Sequence, residues 1–126
     1  MPRRRRVLLV EDDRVLRRAC QIGLERRGYD VVTAENGALG LAQATEHRFD
    51  VILLDMLMPV MSGLEMLSEL RRLGVPTPPV LVLSNSSGIE SRRAGEALGV
   101  AAYLVKADLS LATLAARVAG LTGSGE

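Results

Sequence analysis

The sequence contains few of the residues that characterise several common classes of protein. Cys20 is its only cysteine, so no internal disulfide can form, which fits the reducing cytoplasm. Aromatic residues make up only 2% of the chain, too few for a platform on which single-stranded nucleic acid stacks. No apolar run approaches the ~20 residues of a membrane-spanning helix, and the first residues lack the apolar core of a signal peptide. We therefore expect a cytoplasmic protein with no membrane segment.

The charge of the chain is nearly balanced. Its 16 basic and 15 acidic residues leave a net charge of +1, so we expect no direct binding of nucleic acid. Residues 3–6 are consecutive arginines, which we interpret as a solvated lead-in to the first strand. A chain of 126 residues that is 48% hydrophobic is long enough for one buried core. We predict a single domain over residues 1–126, with its core at about 5–121 and a loose tail at 122–126.

Short apolar runs alternate with stretches of helical periodicity along the chain. This alternation predicts repeated strand–helix units and an α/β fold with a mostly parallel sheet. The predicted strands are residues 7–10, 31–32, 51–54, 80–83 and 102–105. Asn36, Ser62 and Ser110 are residue types that cap helix N-termini, so we expect the second, third and fifth helices to begin there. The fourth helix, over residues 88–98, has the weakest apolar pattern.

Most of the apolar runs end in residues with reactive side chains. Those residues are Glu11, Asp12 and Asp13 after the first run, Asp55 after the third, Ser84 after the fourth and Lys106 after the fifth. Ligands of open α/β sheets bind at the carboxyl ends of the strands, so we expect these side chains to share one face. Lys106 is the only lysine among the 16 basic residues, which favours a need for an ammonium group there. Together they indicate a divalent cation and a phosphoryl group.

The acidic residues divide into separate predicted roles. Asp55 follows a buried strand and precedes a turn that contains proline and glycine, where its carboxylate can act as an oxygen nucleophile. Glu11 and Asp12 are consecutive carboxylates that repel each other unless a cation compensates them, and Mg²⁺ suits such oxygen ligands. We expect Asp13, by contrast, to cap the first helix.

In this order and spacing, the residues resemble the receiver domain of two-component response regulators. The resemblance covers nearly the whole chain, and its segments are VLLVEDD at 7–13, DMLMPVMSG at 55–63, VLS at 82–84 and YLVK at 103–106. It implies a flavodoxin-like α/β fold, a doubly wound, five-stranded parallel sheet of order 2-1-3-4-5 with five helices. The strand order comes from the resemblance and not from the periodicity of the sequence.

The resemblance also implies roles around a bound Mg²⁺. Asp55 would accept a phosphoryl group from the phosphohistidine of a sensor histidine kinase or phosphotransfer protein. Asp12 would bind the metal directly and Glu11 partly through water. Asp55 would add its carboxylate and Leu57 its backbone carbonyl. Lys106 would hold a phosphoryl oxygen.

Two further positions match the switch residues of the family. The resemblance makes Ser84 the switch hydroxyl and Tyr103 the switch aromatic, whose ring moves inward when that hydroxyl moves. A packing role for Tyr103 on an edge strand is equally compatible with the sequence. A downstream protein partner would bind the surface made by the last two helices and the edge strand.

The chain departs from the family pattern in two places. Ala107 follows Lys106 where receivers usually have a proline in a cis linkage. A cis bond before a non-proline residue costs ~3 kcal/mol, so we expect a trans bond and a differently placed start of the last helix. Asn85 follows Ser84 where a small residue is usual, which bears on the rates of phosphorylation and dephosphorylation.

We therefore predict a Mg²⁺-dependent phosphorylation switch that is not a turnover enzyme on an external substrate. A phosphorylation-independent interaction module of the same fold is the main alternative. An aspartate-nucleophile phosphatase is less favoured, because Leu57 stands where such enzymes have a second aspartate. A flavodoxin-like cofactor protein is also less favoured, because the first strand ends in acids and not in a phosphate-binding loop. The sequence leaves open whether the chain is complete or a piece of a longer protein.

Overall fold

A five-stranded parallel sheet organises the chain. The computed structural model describes residues 4–85, 93 and 96–123. The strands are β1 Arg6–Val10, β2 Asp30–Ala34, β3 Val51–Asp55, β4 Val80–Ser84 and β5 Ala102–Val105. Their order in the sheet is β2-β1-β3-β4-β5, and all four neighbouring pairs are parallel. The doubly wound order implied by the resemblance is therefore confirmed.

Helices connect the strands and cover the sheet. They are α1 Arg14–Arg26, α2 Gly37–Glu46, α3 Gly63–Arg72 and α4 Leu111–Thr122. The helix predicted over residues 88–98 lies largely outside the described residues, although Arg93, Glu96 and Ala97 within it are helical. The described part of the chain thus has four complete helices where the sequence predicts five. None of these helices is long and apolar enough to cross a membrane.

The helices begin at the predicted capping residues. The side chain of Asn36 accepts a hydrogen bond from the backbone of Leu39 at 2.8 Å. Ser62 and Glu65 form a reciprocal capping box at the start of α3. The hydroxyl of Ser110 accepts from the backbone of Thr113 at 3.0 Å at the start of α4. Each cap satisfies a backbone donor that has no partner inside its helix, so these three predictions are confirmed.

Apolar side chains fill both faces of the sheet. On the face covered by α1 and α4, Leu9 and Leu53 pack with Leu114 of α4. On the opposite face, Leu8 and Leu54 pack against α2 and α3. Every residue of β3 and β4 is buried. Because parallel strands are covered on both sides, continuous apolar runs are what such a sheet requires.

A short turn separates β5 from α4. No peptide bond in the described part of the chain is cis, so the bond before Ala107 is trans, as expected. Residues Lys106–Asp108 form one turn of 3₁₀-helix, which Leu109 closes by donating its N–H to the Lys106 carbonyl at 3.1 Å. Leu109 then packs against the core on the α1 side. The turn fixes the backbone of Lys106 without a proline.

Candidate functional site

The carboxyl ends of four strands bring the predicted site residues to one edge of the sheet. β3 lies between β1 and β4, so Asp55 stands beside the residues that leave β1. Asp55 is in register with Leu83, the residue before Ser84. Ser84 is in turn in register with Val105, the residue before Lys106. The topology therefore collects the acids, the hydroxyl and the ammonium on one face, as predicted.

Three carboxylates form a compact cluster at this edge. Glu11, Asp12 and Asp55 each offer one oxygen, and these oxygens all lie within 4.8 Å of one another. Glu11 is 0% exposed and Asp55 is 3% exposed, whereas Asp12 is exposed to solvent. Buried carboxylates this close repel each other unless positive charge compensates them. The donor set of carboxylate oxygens with one open side fits a Mg²⁺ ion that keeps several of its waters.

Lys106 supplies positive charge to the same cluster. Its Nζ atom donates a hydrogen bond to Oδ2 of Asp55 at 3.1 Å. The same atom lies 2.8 Å from Oε1 of Glu11, an ion pair whose angles fall outside hydrogen-bond geometry. The lysine follows the edge strand β5 and reaches over β4 to do so. Its long, flexible side chain suits that reach, as a rigid guanidinium would not.

The environment shifts the proton affinities of the cluster in opposite directions. Burial, a hydrogen bond with Asp12 and the charge of Glu11 together raise the pKa of Asp55 to about 7. Burial acts to raise the pKa of Asp12, but hydrogen bonds with Asp55 and Glu11 outweigh it and lower that pKa. Asp55 is therefore the more basic of these two carboxylates. A divalent cation at this place would favour its ionised form.

The charge of Lys106 is stabilised by its acidic neighbours. Burial acts to lower the pKa of this ammonium, but Glu11 and Asp55 outweigh it and raise the pKa. Lys106 is therefore fully charged at neutral pH and can pair with an incoming anionic group.

The turn between β1 and α1 holds Glu11 at several points. The backbone N–H of Asp13 donates to Oε2 of Glu11 at 3.0 Å. The side chain of Asp13 caps α1 by accepting from the next two backbone donors, as predicted. Arg17 donates from Nη1 to the Glu11 carbonyl at 2.8 Å. The sequence does not predict this contact, because a backbone carbonyl acceptor leaves no sequence pattern.

The loop between β3 and α3 is a shaped turn, as its proline and glycine indicate. The N–H of Leu57 donates to Oδ1 of Asp55 at 3.2 Å, so the loop backbone orients the central carboxylate. Val60 has a positive φ of 70°, and the N–H of Met61 donates across it to the Pro59 carbonyl at 2.7 Å. The result is a three-residue γ-turn around Val60. Sequence reasoning did not anticipate this backbone conformation.

The loop is also fastened to the start of α2. The N–H of Gly37 donates to the Met61 carbonyl at 3.1 Å. A Cβ atom at residue 37 would lie 2.3 Å from that carbonyl oxygen, so the close approach requires glycine. The carbonyl of Leu57, a predicted metal ligand, belongs to a loop that is thereby fixed at its far end.

The two predicted switch residues lie on neighbouring strands. Ser84 is buried at the end of β4, and Asn85 after it is exposed. Tyr103 is half-buried on β5, in register with Val82, and packs against the core on the α2–α3 face. This position is compatible with both interpretations of Tyr103, packing residue and switch aromatic.

Comparison with known proteins assigns a family to this fold and site. A model of the response regulator receiver domain matches residues 7–119. Transcriptional regulatory protein PrrA of Mycobacterium tuberculosis is 43% identical over 116 residues, which are 92% of this chain and 49% of PrrA. Cell cycle response regulator CtrA of Brucella ovis is 38% identical over 101 residues, which are 80% of this chain and 43% of CtrA. The chain spans about half the length of the curated relatives it matches.

Solved structures give the same assignment. Chemotaxis protein CheY4 of Vibrio cholerae aligns with a TM-score of 0.86 at 34% identity, over 94% of this chain and 98% of the other. Response regulator protein TrrA of Thermotoga maritima aligns with a TM-score of 0.80 at 30% identity, over 93% of this chain and 98% of the other. The chain therefore belongs to the response regulator receiver domains of two-component signalling.

Proposed function

We propose that Asp55 accepts a phosphoryl group from the phosphohistidine of a sensor histidine kinase or phosphotransfer protein, in a Mg²⁺-dependent reaction. The observation that carries the proposal is the position of the Asp55 carboxylate, buried between two further acids and the Lys106 ammonium. The structure of Thermotoga maritima TrrA is of a complex with Mg²⁺ and BeF, and we extend that ligand class to this chain.

Three of the groups that would hold the metal are carboxylates that already lie together. Asp12 and Asp55 would contribute carboxylates, Glu11 would act partly through water, and Leu57 would contribute its backbone carbonyl. Bound Mg²⁺ would neutralise charge on the transferred phosphoryl group. The proximity of the three carboxylate oxygens, within 4.8 Å of one another, supports this assignment.

Asp55 acts as the nucleophile and Lys106 as the electrostatic partner. An oxygen of the Asp55 carboxylate attacks phosphorus as the nitrogen–phosphorus bond of the phosphohistidine breaks, and the released imidazole takes a proton from water. The Asp55 carboxylate must be ionised to react, so its raised pKa makes the reaction depend on pH or on the bound cation. Lys106 then transfers its hydrogen bond from Oδ2 of Asp55 to a phosphoryl oxygen.

Phosphorylation would change the conformation through Ser84 and Tyr103. The phosphoryl group adds about 1.5–2 negative charges at the end of β3. Ser84, buried at the end of the adjacent β4, would move to donate to a phosphoryl oxygen, and the Tyr103 ring would follow. The shift in population requires that the phosphoryl group bind the active conformation more tightly than the inactive one. A downstream protein would bind the surface made by the helix predicted over residues 88–98, by α4 and by β5, and would respond to the change there.

Intact mass spectrometry after incubation with acetyl phosphate and Mg²⁺ tests the proposal. We expect a single phosphoryl adduct on the wild type that is lost with EDTA and absent from Asp55→Asn. Asp13→Asn is the matched control, because Asp13 caps α1 and asparagine caps equally well, so this variant should keep the adduct. An adduct on Asp55→Asn would identify a different acceptor. No adduct on the wild type would favour the phosphorylation-independent interaction module.

A further inference from the structure

Arg17 contacts the backbone carbonyls of Glu11 and Asp12, two residues of the proposed metal site. Its Nη1 atom donates to the Glu11 carbonyl at 2.8 Å and lies 3.4 Å from the Asp12 carbonyl. The N–H of Glu11 still pairs with β2, through the Ala34 carbonyl at 3.0 Å, but the chain then leaves the sheet. Beyond that point, carbonyl groups need other donors. The guanidinium of Arg17 supplies one for both peptides.

From these contacts we infer that Arg17 is a positioning residue for the Mg²⁺ site, an inference that rests on the proposed function. The carboxylate of Glu11 is already held by the Asp13 N–H and by Lys106. Asp12, by contrast, is exposed to solvent, and its backbone carbonyl lies within 3.4 Å of Arg17 Nη1. The direction of the Asp12 side chain then depends on its backbone, which Arg17 fixes.

The positive charge of Arg17 opposes this effect, because it repels a cation. The guanidinium points to the backbone carbonyls and is only half-buried, so water and salt screen its charge, with a Debye length of about 8–10 Å in ordinary buffers. Loss of a contact that orients a metal ligand costs about 10–100-fold in affinity. The orienting contact is therefore the larger effect, and removal of Arg17 weakens the site.

A Mg²⁺ titration followed by ¹H–¹⁵N NMR on the full chain measures this effect directly. We expect Arg17→Met to raise the Mg²⁺ dissociation constant about 10-fold. Arg17→Lys, which keeps the charge and one donor, should give an intermediate value. Arg18→Met is the matched control, because Arg18 is an exposed residue of the same helix, and its removal should change the constant by less than about 2-fold. The amide shifts of Asp12 and Asp13 should change in Arg17→Met before any metal is added.

The outcomes separate this inference from the proposed function. Circular dichroism at the titration temperature establishes that each variant is folded, so lost stability does not imitate lost affinity. If the Arg17→Met variant binds Mg²⁺ as tightly as the wild type, or more tightly, Arg17 does not position the metal site. An equal loss of Mg²⁺ affinity in Arg18→Met would also overturn the positioning role, because it would show that removing any arginine from α1 weakens binding. A wild type that binds no Mg²⁺ would overturn the proposed metal dependence itself, and the inference with it.

Discussion

The Nζ atom of Lys106 lies 2.8 Å from Oε1 of Glu11, although the strands that precede the two residues, β5 and β1, are separated in the sheet by β3 and β4. Glu11 is 0% exposed, so Lys106 provides the compensating charge for a buried acid. The only lysine of the chain thus stabilises the fold as well as the proposed phosphoryl site. Its removal should therefore affect stability before any phosphorylation takes place.

Lys106→Met should lower the free energy of unfolding by about 3 kcal/mol in buffer with EDTA, because it leaves Glu11 buried without a cation. Adding Glu11→Gln should recover most of the loss. Urea denaturation of the two single variants and the double variant measures this coupling. Arg72→Met is the control: it breaks the exposed Arg72–Glu69 pair, which is also 2.8 Å apart, and should leave the free energy of unfolding nearly unchanged. A double variant as unstable as Lys106→Met would contradict the assignment.

The raised pKa of Asp55 predicts a dependence of stability on pH. Its pKa is about 7 in the folded chain against 3.8 for an ordinary aspartate, so the folded state binds the proton more tightly than the unfolded state. The stability from this group is fully present below about pH 4 and is lost as the pH rises through about 7. The asparagine of Asp55→Asn cannot ionise, so the variant does not lose this stability as the pH rises. In EDTA it should exceed the wild type by about 2–4 kcal/mol at pH 8.

Thermal unfolding of both proteins between pH 4 and pH 8 measures this difference. It should be smallest at pH 4 and grow with pH, because the wild type alone ionises residue 55. Saturating Mg²⁺ should reduce the difference at pH 8, since a cation bound to the carboxylate stabilises the folded wild type. A constant difference across the range would show that Asp55 titrates normally.

The strands and most of the site could be predicted because most of the apolar runs end at a residue whose chemistry differs from that of the run. Asp55 and Lys106 are conspicuous for that reason, and the parallel topology brings them within 3.1 Å. The order of the strands was available only through the family resemblance, since periodicity does not encode which strands are neighbours. Residues 88–98 had the weakest pattern, and the structure describes only part of that segment.

The unpredicted features all depend on the backbone. Arg17 binds carbonyl oxygens, which every residue has, so its sequence position alone does not distinguish it from Arg18. Val60 adopts a positive φ that its branched side chain disfavours, so propensity argues against the observed turn. The need for glycine at residue 37 arises from a contact with the distant Met61 carbonyl. Such contacts are set by tertiary structure, which local pattern does not report.

Gly37→Ala should destabilise the chain by about 1–3 kcal/mol and weaken Mg²⁺ binding. The added Cβ would lie 2.3 Å from the Met61 carbonyl oxygen, so the loop that carries Leu57 must shift. Gly120→Ala is the matched control: Gly120 lies in α4 with nothing within 4 Å of its added Cβ, and alanine there should stabilise the helix by up to about 1 kcal/mol. Denaturant titrations with and without Mg²⁺ measure both effects. A Gly37→Ala protein with wild-type stability would show that the loop is not fixed at this point.

Val60→Gly should stabilise the chain by about 1 kcal/mol, although glycine ordinarily destabilises a folded chain through its unfolded-state entropy. Val60 is 80% exposed, so glycine forfeits little packing there, and it removes the strain of a branched side chain at a φ of 70°. Val15→Gly is the matched comparison, because Val15 is 79% exposed but lies in α1, where glycine should cost up to about 1 kcal/mol. The same substitution at two equally exposed valines should thus change the melting temperature in opposite directions. If both variants melt below the wild type, the strain at Val60 is smaller than the cost of the unfolded-state entropy that glycine adds.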